Sequence, residues 1–294
     1  MMTELPLDQV RTLLAVVDEG TFDAAAAALH VTPSAVSQRV KALEQRTGRV
    51  LLQRTKPVRP TESGAVLVRY ARQLARLELD AHAELGLSGA GEPTRVSVAV
   101  NADSLATWFL DALTRVSGIC LELRREDEGH TAALLREGLV MAAVTSSPDP
   151  VPGCSVRPLG RMRYLPVAAP GFAGRHLAGP LPDVLPEAPV VVFDRKDDFQ
   201  DRFVRRVGGT GAGPLRHHVP TSEGFVTAVA AGLGWGMVPE SQTRPLLRED
   251  RLVRLTPHAS MDVTLYWQQW KLDSPALAAL ADAVTATAAQ ALRR

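Results

Sequence analysis

The sequence predicts an α/β protein in two parts: an N-terminal winged helix-turn-helix and a C-terminal domain of alternating strands and helices, joined by a long helix. Three observations predict it. Residues 5–60 read as short capped helices followed by a small hairpin, and they carry the one strong basic cluster of the chain. From Thr61 to about Leu87 a single apolar seam persists. From Thr94 onward short apolar strands alternate with helical segments, the pattern of a largely parallel sheet.

The first part is written in local signals. Leu7 to Asp18 is apolar at Val10, Leu13, Leu14 and Val17, one face of a helix that Gly20 ends. Thr21 caps an alanine-rich second helix, Phe22 to His30, and Val31 makes the turn. Thr32 caps the third helix with Pro33 at its first position, where the missing N–H costs nothing, and Gly48 closes it. On the wheel of that helix Val36, Val40 and Leu43 fall together, and Ser34, Ser37, Gln38, Lys41 and Gln45 gather on the opposite side. Hydroxyls, amides and an ammonium on one face are the groups that bond base edges and phosphates in a major groove. An ordinary solvated face offers similar groups, but here the preceding helix, the tight turn and the charge agree. Between Arg39 and Arg59 seven basic residues stand against one acid, Glu44. Residues 50–55 and 58–60 pair as a wing that places Arg54 and Lys56 near its tip, against phosphate or the minor groove. The DNA-binding set is thus Thr32, Ser34, Ser37, Gln38, Arg39, Lys41, Arg54 and Lys56, and the partner is a double-stranded DNA operator.

Thr61 caps the long helix, whose apolar positions Leu67, Ala71, Leu74, Ala81 and Leu85 follow an a/d-like rhythm with Glu78 in one slot. About 27 residues of helix span roughly 40 Å. A seam of that length wants a partner, so Leu67, Leu74 and Ala81 are read as dimerisation positions; packing on its own domain is the competing reading. Gly86 to Pro93, with three glycines and a proline, marks a boundary. Strands follow at Val96–Val100, Leu121–Arg124, Met141–Val144, Tyr164–Ala168 and Val190–Phe193, with a helix from about Ser104 to Val116.

The bulk numbers exclude several classes. At 294 residues two domains are expected, and 46% hydrophobic with 22% charged residues is a globular composition. The net charge of +1 argues for nothing. Two separated cysteines, Cys120 and Cys154, suit a reducing compartment. The N-terminus lacks a secretory pattern, and no stretch approaches the ~18 apolar residues of a spanning helix. A cytoplasmic protein with no membrane partner is expected. His217 and His218 point opposite ways on an extended chain, and no other histidine stands at metal spacing, so no metal, no cofactor and no catalytic residue is expected. Gly232, Gly234 and Gly236 resemble a phosphate loop superficially, but they follow a helix and lead into a strand, so a helix stop explains them.

Residues 20–64 resemble the N-terminal domain of LysR-type transcriptional regulators. The resemblance continues through 101–109 (NADSLATWF), 126–138, 188–198, 221–226 (TSEGFV) and 265–267 (LYW), which are similar to the ArgP/LysG subgroup. That likeness implies a regulator responsive to lysine or arginine, an activator of basic-amino-acid export working with RNA polymerase as a dimer or tetramer. It also implies a two-lobed, periplasmic-binding-protein-like effector domain whose chain crosses between lobes twice. The expected division is 1–60 for the winged helix-turn-helix, 61–91 for linker and hinge, and 92–294 for the effector domain, with lobe I at 92–162 and 264–294 and lobe II at 163–263.

In such a fold the ligand lies between the lobes, at strand ends and helix N-termini. Asn101, Asp103 and Ser104 follow a strand and open a helix, and Ser104 is expected to hold the ligand carboxylate. Thr145 and Ser146 end another strand. The acids Glu126, Asp194, Asp197 and Glu223 suit a cationic amino acid, whose charges need desolvated partners. Helix capping is the competing reading for each acid, and it is preferred for Glu128, Asp198 and Asp201. Two other functions compete: an architectural or replication-associated DNA binder, which leaves an acidic cleft without purpose, and a transport receptor, against which the DNA-reading helix argues.

Overall fold

The computed structural model describes residues 5–85, 94–126 and 131–294. The N-terminal helices are α1 (Leu7–Glu19), α2 (Phe22–Ala28) and α3 (Pro33–Thr47). Their ends follow the local chemistry. Thr21 accepts the Ala24 N–H at 3.1 Å and Thr32 the Ala35 N–H at 3.2 Å, each a side-chain cap worth about 1 kcal/mol. Gly20 and Gly48 end α1 and α3 in the left-handed conformation, with φ of 73° and 64°. Strands β1 (Leu52–Gln53) and β2 (Arg59–Pro60) pair antiparallel as the wing. Val10, Leu13, Val16, Val36, Val40, Leu43 and Leu51 form the core of this unit.

Helix α4 (Glu62–Glu84) is capped by Thr61, which accepts the Gly64 N–H. Its first half lies on α1 and belongs to the same core. Val68 and Ala71 are buried, and Leu67 and Leu74 are half-buried against that cluster. This corrects the seam read from sequence: two of its three positions face the chain's own winged helix-turn-helix, and Ala81 alone is exposed. A second stripe, displaced by roughly 60–80° around the helix, stays open to solvent at Val66, Tyr70 and Leu77, which are 52, 37 and 41% exposed. Arg11 of α1 pairs with Glu78 and Arg72 with Asp18, fixing α4 along α1. The expected boundary at Gly86–Pro93 lies outside the described residues.

The C-terminal part is built on a mixed seven-stranded sheet in which β10 (Val253–Arg254), β6 (Cys154–Ala168), β11 (Met261–Trp270), β5 (Ala142–Thr145), β3 (Thr94–Val100) and β4 (Ile119–Arg125) lie in that order, with β9 (Gly236–Pro239) beside β6. Strands β3 (Thr94–Val100), β4 (Ile119–Arg125) and β5 (Ala142–Thr145) are parallel. Between β3 and β4 run α5 (Ala102–Ser104), a π-helical turn (Leu105–Phe109) and α6 (Leu110–Leu113), and α7 (Thr131–Arg136) precedes β5. Strand β6 (Cys154–Ala168) is 15 residues long and antiparallel to its neighbours β9, β10 and β11. The largely parallel sheet expected from the strand–helix alternation is therefore half right. The antiparallel half joins β6 to β11 (Met261–Trp270), strands about a hundred residues apart in sequence.

Those two strands carry the chain from one lobe to the other. Cys154↔Trp270 lies at one end of their register and Tyr164↔Met261 at the other, and Arg163 forms a bidentate pair with Asp262 at 2.8 and 2.9 Å. Gly160 stands beside a register shift with φ 136°; a Cβ there would meet the Arg293 carbonyl at 2.8 Å, so only glycine lets the C-terminal tail pass. The second lobe adds α8 (Pro170–His176), α9 (Leu181–Val184), β7 (Val190–Val192), α10 (Phe199–Arg206), β8 (Arg216–His218), α11 (Ser222–Ala230), β9 (Gly236–Pro239), α12 (Glu240–Arg248) and β10 (Val253–Arg254). Helix α13 (Pro275–Ala291) returns to the first lobe and buries Leu277, Leu280, Ala281, Val284 and Ala288 at helical spacing. Among the described residues no helix is long and apolar enough to cross a membrane.

The packing of α4 separates two roles. Leu74→Asp places a carboxylate against the winged-helix core and is expected to lower the thermal midpoint, since burying an unpaired charge costs several kcal/mol. Leu77→Asp should leave that midpoint in place and lower the oligomer mass on a sizing column. Light scattering and calorimetry on both variants check this; the reverse assignment would show Leu74→Asp folded and dissociated.

Candidate functional site

Between the lobes lies a cavity of about 700 Å³, within the size range of small-molecule sites. Its first wall is the turn from β3 into α5, its second the segment from Phe193 to Arg202, and its floor the crossing strands β6 and β11. Asp103 occupies the centre. Its carboxylate accepts the Tyr164 hydroxyl at 2.7 Å and the Ser222 hydroxyl at 2.6 Å. Tyr164 is on β6 and Ser222 is the first residue of α11, so one side chain ties a crossing strand and both lobes together. Ser222 also lies 3.2 Å from the Gln242 side-chain oxygen.

The electrostatics of this arrangement are uncompensated. Loss of hydration pushes the Asp103 carboxyl above the ordinary carboxylate range; the two hydroxyls pull it down by less, and Asp197 and Glu223 push it up further. Asp197 is likewise raised by burial, although it accepts the Phe193 and Phe199 N–H groups at 2.8 and 2.9 Å, and the neighbouring Asp194 adds to the rise. Asp194 itself accepts the Lys196 and Asp197 N–H groups, shaping the turn that brings both acids to the wall. Five carboxylates line the cavity, Asp103, Asp194, Asp197, Asp198 and Asp262, against Lys196 and Arg202. Arg163 neutralises Asp262, and Arg202 lies 3.8 Å from Asp198. Among the described residues Asp103, Asp194 and Asp197 form no ion pair, and Arg216, committed to Asp201, reaches Asp197 only through its charge. Around them Phe193, Tyr164, Phe199, Phe225 and Tyr266 supply apolar walls, with Tyr164 edge-on to Phe199 at 4.9 Å.

Of the residues expected from sequence, Asn101, Asp103, Ser146, Asp194 and Asp197 line this cavity. Four do not. Ser104 is fully buried behind the wall and its hydroxyl has no partner, because one residue along a helix turns the side chain about 100° away from Asp103. Thr145 is buried, with its hydroxyl accepting the Ser147 N–H. Glu126 is exposed at the end of β4, and Glu223 is exposed on α11, reaching Asp103 only through its charge. Asp198, set aside as a cap, lines the cavity, whereas Asp201 forms a bidentate pair with Arg216 at 2.7 Å that holds its carboxyl below the usual range. Glu128 lies outside the described residues. Tyr164 and Ser222 sat in segments that the sequence had marked, but nothing in the sequence aimed them at Asp103.

On the winged helix-turn-helix, Ser34, Ser37, Gln38, Lys41 and Gln45 are exposed on one face of α3. Thr32 is committed to its cap. Arg39 turns back toward α1, 3.6 Å from Asp8 and 3.5 Å from the Thr12 hydroxyl, which makes it a brace between helices rather than an open arm. Arg54 and Lys56 are exposed at the wing, with Arg54 over the Phe22 ring at 5.7 Å.

An exposed polar reading helix, a basic wing and a cleft for a small molecule define a ligand-responsive DNA-binding regulator. Residues 7–65 match the family model for bacterial regulatory helix-turn-helix proteins of the lysR family, and residues 89–289 match the LysR substrate binding domain. The chain belongs to the LysR family of transcriptional regulators. It is 50% identical over 281 residues to the HTH-type transcriptional regulator LysG of Mycobacterium tuberculosis, covering 95% of this chain and 92% of that one. It is 44% identical over 289 residues to the lysine export transcriptional regulatory protein LysG of Corynebacterium glutamicum, covering 97% and 98%. The full-length structure of C. glutamicum LysG with bound effector Arg superposes with a TM-score of 0.85 at 42% identity, covering 99% of this chain and 100% of that one.

The state of Asp103 has a consequence for stability. Its folded pKa lies above its unfolded value, so the ionised carboxylate subtracts stability at every pH above the folded pKa; as pH falls the deficit begins to close at that pKa and is gone below the unfolded one. An amide keeps an oxygen for one hydroxyl and loses the charge. Asp103→Asn is therefore expected to raise the thermal midpoint of the ligand-free protein at neutral pH, by roughly 2–4 °C per kcal/mol recovered. Scanning calorimetry reads it, and a lowered midpoint would mean that the carboxylate is already compensated.

Proposed function

We propose that this chain is a transcription activator that senses a basic amino acid, arginine or lysine, in the interlobe cleft and controls a gene for export of such compounds together with RNA polymerase. The observation that carries the reading is the group of three carboxylates, Asp103, Asp194 and Asp197, that share one cavity and form no ion pair among the described residues. A basic amino acid brings two positive charges and one negative. Asp103 and the Asp194–Asp197 wall receive the cations, the aromatic residues cover the aliphatic stem, and Lys196, Arg202 and the Ser146 hydroxyl are the groups available to the ligand carboxylate. The arginine-bound relative supports the same ligand class. An architectural DNA-binding role leaves those acids without a use.

On the DNA side, Ser34, Ser37, Gln38 and Lys41 read the major groove, while Arg54 and Lys56 hold the backbone or minor groove beside it. The exposed stripe Val66, Tyr70, Leu77 pairs two copies through α4, giving the homo-oligomer that a two-fold operator requires. The work is done in the cytoplasm, where the operator and the amino-acid pool meet.

Titration calorimetry with L-arginine and L-lysine tests the cleft. Wild-type protein should bind one ligand per chain. Asp103→Asn should weaken it about tenfold to a hundredfold, the worth of a charge-assisted hydrogen bond of roughly 1.5–3 kcal/mol. Equal affinity in both proteins, or no heat with any amino acid, would refute the assignment. For the reading helix, Gln38→Ala should cost on the order of 1–3 kcal/mol of preference for operator over random DNA. Lys41→Ala should instead weaken both and flatten the salt dependence, as a phosphate contact does. Gel-shift titrations at two salt concentrations separate the two effects.

A further inference from the structure

A second cavity, of about 350 Å³, shares no lining residue with the cleft and lies where α4 crosses the first lobe. Its roof is α4, through Arg72 and Arg76. Its floor is the face of the sheet that carries Arg95 on β3 and Arg124 on β4, since Ala99 pairs with Arg124 and alternate residues share a face. Asp18, at the end of α1, is the one acid in the lining, and it is taken by Arg72. Trp270 closes the inner end, and its buried indole N–H has no partner.

We propose that this cavity is a binding site for a small oxyanion carrying two or more negative charges, a phosphate compound or a polycarboxylate. Arg72 and Arg76 are satisfied: Arg72 by Asp18 and the Glu137 carbonyl, and Arg76 by Asp80 and the Arg95 carbonyl. Each of these charges is matched by an acid, so the two side chains wall the cavity and leave its positive charge to Arg95 and Arg124. The guanidinium of Arg95 has neither an ion pair nor a hydrogen bond among the described residues, and Arg124 pairs only with Glu122, which is 63% exposed and screened by solvent. Arg95 and Arg124, the two guanidiniums outside the Asp18 and Asp80 pairs, face one space, and the planar fork of Arg binds two oxygens of phosphate or carboxylate at once. A ligand here would touch the linker helix and the first strand of the effector domain together, beside the Asp18–Arg72 pair that holds α1. Its occupancy therefore adds a second chemical input to the junction between sensing and DNA binding, separate from the cleft.

Titration calorimetry of the full chain with sodium pyrophosphate and, in a parallel arm, citrate, at ionic strength matched with sodium chloride, tests the site. The expected result is one saturable site per chain for at least one of the two, the tighter arm naming the anion class. That site should persist when the cleft is saturated with L-arginine, and should weaken at least tenfold in both Arg95→Gln and Arg124→Gln, with the thermal midpoint unchanged for the exposed Arg95 and little changed for the half-buried Arg124. No saturable binding of either anion overturns the assignment. So does displacement of the anion by L-arginine. Binding that survives Arg95→Gln but is lost in Arg54→Ala belongs to the DNA-reading face and overturns it as well. Because the arginine titration is read independently, failure here leaves the cleft assignment standing, and failure there leaves this one.

Discussion

The Asp103 carboxylate, gripped by hydroxyls from Tyr164 and Ser222, is the contact on which the arrangement of the lobes turns. It is made between residues 61 and 119 positions apart, so it exists only when β6 has crossed between lobes and α11 has packed beside it. Two neutral hydroxyls are weak compensation for a charge that has lost its water, and the acids around it make the deficit larger. A cation entering the cavity gains from that deficit. A ligand shifts a lobe equilibrium only by its differential affinity for the two arrangements. A cavity lined by five carboxylates against two cations is where such a difference is large.

The route from that site to the DNA-binding surface is short in structural terms. Strand β3 ends at Val100, immediately before Asn101 and Asp103, and near its beginning the Arg95 carbonyl accepts a hydrogen bond from Arg76 of the linker helix. Arg69 and Arg72 reach the carbonyls of Arg136 and Glu137 on the same lobe, and Arg72 also holds Asp18 of α1. One face of α4 is thus bonded to the effector domain while its first half shares a core with the reading helix. Helix α4 is the element that contacts both the effector domain and the winged unit. The third face, at Val66, Tyr70 and Leu77, stays open to solvent.

Much of this was legible in the sequence where the determining physics is local. Thr21, Thr32, Pro33, Gly20 and Gly48 set the N-terminal helices because caps and left-handed glycines act within a turn of the residues that carry them. The family likeness placed the cleft and the two crossings. What failed was long-range or rotational. The antiparallel pairing of β6 with β11 joins residues roughly a hundred apart and leaves no local trace. The seven-residue rhythm of α4 fits two adjacent faces, and only the position of α1 decides that Leu67 and Leu74 are covered while Tyr70 and Leu77 are not. Ser104 and Asp103 were indistinguishable as neighbours on a helix opening, and the side facing the cavity depends on where Tyr164 comes to lie.

The central claim is that burial raises the proton affinity of the cleft carboxyl groups and that a bound cation lowers it again. Calorimetry of L-arginine binding, repeated in buffers of different ionisation enthalpy at mildly acidic pH just above the ordinary carboxylate range, measures the protons exchanged. Neither the guanidinium nor the α-ammonium of the ligand titrates there, so any exchange comes from the protein. Net release of protons on binding, vanishing as pH rises above the raised pKa values of Asp103 and Asp197, is the predicted result. Binding with no proton release, or with uptake, across that range would contradict it.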